Sequence, residues 1–207
     1  MGRQGTVRRR RGERGTELVE FALVMALLTP LLLGSAGAGL NLIRSIQVVQ
    51  VCRDAGHMFS RGVDFSDPAN KALIERLAQG LDIRVEGGTG VVILSTVLMV
   101  GPDQCAAGGL SAGSCTNLNQ PVIVKRVVIG NAGARASAFG TPPPSIMDAN
   151  GNVLNYLTNT GARATGFNAV LPLQPGDTAY VSEVYVPSAD YSFLGSANSG
   201  VYSRTFF

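Results

Sequence analysis

The apolar residues of this chain crowd into one early stretch. Residues 21–43 read FALVMALLTPLLLGSAGAGLNLI, without a charged side chain. At about 1.5 Å per residue that is roughly 35 Å of helix, enough for a bilayer core of about 30 Å. The run is longer than the apolar region of a signal peptide. Its small-residue part at 34–39 (GSAGAG) imitates a signal-peptidase site, so ordinary secretion stays open as a second reading. Pro30 lies inside the run, where a membrane helix tolerates it as a kink. Gly34 and Ala38, like Ser35 and Gly39, are small and four residues apart. Such pairs let helices approach closely; equally, they can merely fill a membrane helix.

Beyond residue 43 the pattern becomes amphipathic. Ile46, Val49, Cys52, Met58 and Phe59 alternate with Arg44, Gln47, Gln50, Arg53 and Asp54. That spacing predicts a continuing helix over 44–59 with one apolar face, ending near Gly62. Ser66-Asp67-Pro68 is a cap followed by a first-turn proline, and predicts a short helix through Leu73, Ile74 and Leu77 to Gly80. Strands are expected at 81–86, 91–100, 122–129, 179–186 and 201–207, with Gly-, Pro- and Asn-rich loops between them. The predicted fold class is α+β: a long N-terminal membrane-spanning helix, then a β-rich domain with an antiparallel sheet and one short helix. No internal repeat is evident.

Charge refines this picture. The net charge is +3, but six arginines and one acid lie in the first 15 residues. The rest of the chain carries 11 basic and 13 acidic side chains. A nucleic-acid-binding domain would carry its basic face on the folded part, so nucleic acid is not an expected partner. Arginines beside an apolar run mark the cytoplasmic side of a membrane helix. The expected topology is therefore single-pass in a bacterial inner membrane, with the N-terminus cytoplasmic and residues 44–207 periplasmic or on the cell surface. An oxidising compartment permits disulfides, and Cys105 and Cys115 are the expected pair, with Cys52 left over.

The sharpest local signal is Gly15-Thr16-Glu17-Leu18-Val19-Glu20-Phe21. A glycine ends a basic leader, and five residues on a glutamate stands at the mouth of the apolar helix. A carboxylate entering a membrane is costly without a partner. If a peptidase cuts after Gly15, the new α-amino group of a neighbouring subunit can pair with Glu20. The plainer account is that Glu20 marks the edge of the membrane and reaches out to water. The block RGERGTELVEFALVMALLTPLLLG resembles the N-terminus of TadE-like proteins, the minor pseudopilins of tight-adherence (Flp-type) pilus systems. The following QVVQVCRDAGHMFSRG is similar to that family's Gln- and Arg-bearing helix with its Ala-Gly element. The resemblance covers roughly residues 12–62; Pro30 stands about one turn later than in the family, and 63–207 agree in architecture only. It implies cleavage between Gly15 and Thr16 by a prepilin peptidase, subunit pairing through Glu20 and Phe21, and helix packing around Pro30, Gly34 and Ala38. The implied partners are the inner membrane, the peptidase, and other pilin, pseudopilin and pilus-assembly proteins.

The remaining chemistry is sparse. His57 is the single histidine, and a His-based triad or zinc site needs partners its surroundings lack. Asp148-Ala149-Asn150-Gly151-Asn152 lacks the acid spacing of a calcium loop, and Gly87-Gly88-Thr89-Gly90 lacks the lysine of a phosphate loop. No catalytic residue, metal or cofactor is expected. The chain divides into a cleaved basic leader (1–15), a transmembrane and extended helix (16–62) and an extracytoplasmic α+β domain (63–207). The expected function is that of a minor pilin or pseudopilin acting in pilus assembly and adhesion. The alternative is a single-pass anchored binding module that never enters a filament.

Overall fold

The structure is a computed structural model that describes residues 13–187 and 200–207. The described residues fall into two units that divide between Ile43 and Arg44. One helix, α1 (Glu13–Ser60), supplies the described part of the first and opens the second. Its described part starts at Glu13, inside the expected leader 1–15. Pro30 lies within the helix; it removes one N–H from the ladder without ending it.

The second unit is a four-stranded antiparallel sheet in the order β2-β1-β3-β4, with β1 at Val91–Met99, β2 at Pro121–Gly130, β3 at Thr178–Pro187 and β4 at Gly200–Phe206. The α+β class and the antiparallel sheet expected from the sequence are both present. β1 and β3 read as near-continuous apolar runs because both faces of the sheet are covered. On one face Val92, Leu94, Val127, Ile129, Val184 and Val186 meet the C-terminal part of α1 and helix α2 (Pro68–Leu77). On the other, Val97, Ile123, Ala179 and Val181 meet the two long connections, which contribute Phe139 and Phe167.

α1 buries Val48, Val51, Cys52, Ala55 and Phe59 in this unit. The face read from the sequence needs correction: Ile46 and Val49 are 49% and 42% exposed. Apolar residues at 46, 48, 49 and 51 cover more than one side of a helix, so periodicity alone does not choose a face. The small residues do. A Cβ on Gly56 would lie 2.3 Å from the Phe207 ring and 2.9 Å from Cβ of Ser182. The Ala55–Gly56 side is therefore the side that can approach β3 closely. α1 ends with Gly62 at φ +87° and a bond from the Val63 N–H to the Met58 carbonyl, the Schellman arrangement that satisfies the last carbonyls.

α2 starts as expected, with the Asp67 carboxylate accepting from the Ala69 N–H at 2.8 Å. The strand expected at 81–86 is absent. Asp82 adopts φ +51° and its carbonyl accepts from the N–H groups of both Thr89 and Gly90, so 81–90 folds back on itself with only an Ile83–Gly88 bridge. A short helix not foreseen, α3 (Pro102–Ala107), follows β1; Pro102 stands in its first turn and the Gly101 N–H donates to the Gln104 side chain.

Candidate functional site

The residues singled out from the sequence lie on α1 between Gly15 and Ala38. The helix is long and apolar enough to cross a membrane or act as a signal, and none of its most apolar window is buried. Leu18, Phe21, Leu27 and Leu33 are exposed, as are Leu40 and Leu42. Exposed aliphatic surface on this scale is untenable in water and requires a lipid or protein cover. Glu20 and Phe21 are adjacent, exposed positions of the helix. Gly34 has open space where a Cβ would be, as do Gly37 and Gly39, and Ala38 is one turn from Gly34 on the same side. Ser35 returns its hydroxyl to the Leu32 carbonyl at 2.9 Å, so it presents no free hydroxyl hydrogen to an apolar surrounding. Gly15 and Thr16 lie near the described start of α1.

Cys105 in α3 and Cys115 form a disulfide, with Cα atoms 5.9 Å apart. Cys52 is a free, buried cysteine, and its thiol donates to the Ser182 carbonyl at 3.2 Å. His57 stacks on Phe207 with ring centroids 5.8 Å apart. Among the described residues no group of three or more His, Cys, Asp or Glu is placed to hold a metal.

The sequence reading missed a buried polar network on the sheet face that carries the long connections. Arg126 and Glu183 are almost fully buried, as are Ser95 and Ser137. The Arg126 guanidinium donates to Ser95 Oγ at 3.1 Å, to Ser137 Oγ at 3.2 Å and to the Gly140 carbonyl. Ser137 Oγ donates onward to Glu183, whose carboxylate also accepts from the Ala138 N–H at 2.9 Å and the Tyr202 hydroxyl at 2.6 Å. Burial pushes Arg126 down to about 10, against the opposing field of Glu183, and it stays charged at neutral pH. Burial, then its bond to Glu183, raises the Tyr202 phenol. Each buried charge is thus answered by several partners, the condition under which such groups are tolerated. The network clamps residues 137–140 onto β2 and β3. Its signal in the sequence was a charge in the middle of each of two apolar strands, VIVKRVVI and AYVSEVYV.

Compared with protein families, curated proteins and solved structures, the chain matches none.

Proposed function

We propose that this protein is a non-catalytic minor pilin or pseudopilin of the TadE-like kind, held in a bacterial inner membrane by α1 and processed by a prepilin peptidase. The observation that carries the reading is the division of labour along α1. Its first part exposes an apolar surface, while Val48, Val51, Cys52, Ala55 and Phe59 belong to the folded domain's core. A cleavable signal needs no such continuation. The basic leader puts residues 1–15 on the cytoplasmic side, and the Cys105–Cys115 disulfide suits an oxidising compartment for the domain.

Gly15 suits the cleavage step. A peptidase needs extended backbone, so α1 must open at this point. Glycine lowers the cost of that opening by about 1 kcal/mol relative to alanine. Cleavage removes six arginines and frees an α-amino group that can pair with Glu20 of a neighbouring subunit, offsetting its burial. Glu20→Ala should leave the protein inserted but reduce its co-purification with pilus components. Unchanged piliation and co-purification would reduce Glu20 to a marker of the membrane edge. The anchored binding module is the second reading; in it the leader stays uncut.

A further inference from the structure

Beyond the end of α1 part of the sheet is left uncovered, and a groove of about 460 Å³ opens there. Its floor is Thr96 of β1, Val124 of β2 and Tyr180 of β3; Phe59, Val63 and Tyr156 form walls, and Asp64, Lys125 and Asn152 stand at the rim. We propose that this groove binds a short neutral oligosaccharide.

The argument rests on what the groove offers. Its size falls within the roughly 300–1,000 Å³ of small-molecule sites. The Tyr156 and Tyr180 rings supply apolar surface against which the C–H face of a sugar can lie. Its two opposite charges are already matched: Lys125 Nζ lies 3.1 Å from Asp64 Oδ1. An anionic ligand must contend with Asp64 and a cationic one with Lys125, so a neutral ligand is favoured. A purely apolar ligand would strip water from Thr96, Asn152 and the ion pair without replacing its hydrogen bonds. Hydroxyl groups both donate and accept, and the rim offers both. The Asn152 amide donates to Asp148 at 2.8 Å, which orients it and leaves its carbonyl oxygen as acceptor. Lys125 has ammonium hydrogens beyond the one given to Asp64.

The rim is also held in place before any ligand arrives. Asp64 accepts from the Ser66 N–H at 3.0 Å and the Ser66 hydroxyl at 2.8 Å, and Asp148 also accepts from the Asn152 N–H at 2.7 Å. Pre-ordering of this kind lowers the entropic cost of binding. An extended peptide is the main rival, since it too mixes donors and acceptors. Peptides bind along open strand edges, and here the β2 edge is already occupied. Arg126 N–H donates to the Gly151 carbonyl, Val153 N–H donates to the Val124 carbonyl, and Lys125 bridges Asn152.

The inference is independent of how residues 1–15 are processed. The test is calorimetric titration of the full chain, in lauryldimethylamine oxide micelles that carry no sugar headgroup. The titrants are maltotriose, cellotriose, triacetylchitotriose and, as the peptide control, acetyl-Gly-Ser-Gly amide. We expect at least one trisaccharide to bind with Kd near or below about 1 mM, the modest range of a shallow site. Thr96→Val and Tyr156→Ala should each weaken it about tenfold, with thermal melting showing both variants folded. Should one variant fail to fold, the other still decides. No heat from any trisaccharide, binding unaffected in the folded variants, or binding of the peptide alone overturns the proposal.

Discussion

At the scale of single residues, two positions carry measurable consequences. The Asp64 carboxyl is held down to about 2, chiefly by the Ser66 backbone N–H, then by the Ser66 hydroxyl and by Lys125. Its folded value lies below its ordinary 3.8. The stability it confers is therefore present above about pH 4 and is lost as pH falls through the folded value. Carboxyl-detected NMR titration should find the low midpoint. Lys125→Met should raise it only part of the way, because the Ser66 bonds remain. A midpoint near 3.8 in the unmodified protein would contradict this geometry. Gly56 is the second position. In Gly56→Leu the side chain meets Ser182 and the Phe207 ring, and overpacking of this kind costs about 1–3 kcal/mol. Denaturant unfolding should show that loss; unchanged stability would mean that α1 approaches β3 less closely. In sequence Gly56 is one glycine among 26, marked only by the Ala-Gly element of the family resemblance, which does not say what it packs against. Arg126 and Glu183 were visible as charges in apolar strands, but their partner Ser137 lies in a loop whose path only the fold reveals.

At the scale of elements, the disulfide is the part easiest to test. It closes a loop with a sequence separation of 10 and joins α3 to the core beneath the sheet. Replacing Cys105 and Cys115 together by alanine should cost about 2–3 kcal/mol, read as a lower midpoint in urea with α-helical and β signals retained. An equal midpoint would mean that the loop is held without it. The four strands were legible in sequence because β-branched runs bounded by Gly and Pro have few other ways to fold. The run LDIRVE was misleading, since its alternation is that of a strand while Gly87, Gly88 and the left-handed Asp82 turn it into a tight fold-back. The apolar face of residues 44–59 was misplaced for a different reason. Four apolar residues within six positions leave the period ambiguous, and small residues at the contact, not large ones, decide which side meets the sheet. The connections at 101–120, 130–152 and 158–177 read as loops, yet they contribute to the second covering layer, with Asn117 fully buried and bonded to the Tyr156 and Asn159 carbonyls.

At the scale of the whole molecule, the chain joins an apolar helix to a folded domain through one unbroken element, α1. The membrane-competent half was plain in the sequence, because an uncharged stretch of this length has no home in a small soluble core. The function proposed for that half rests on a resemblance in the residues around Gly15 and Glu20, since a processing site is defined by the enzyme that cuts it and not by any fold of its own. The most direct measurement is N-terminal sequencing of the native protein from its own membranes. The account predicts a chain that begins at Thr16, with the leader absent. A chain that keeps residues 1–15, or begins at any other residue, contradicts it.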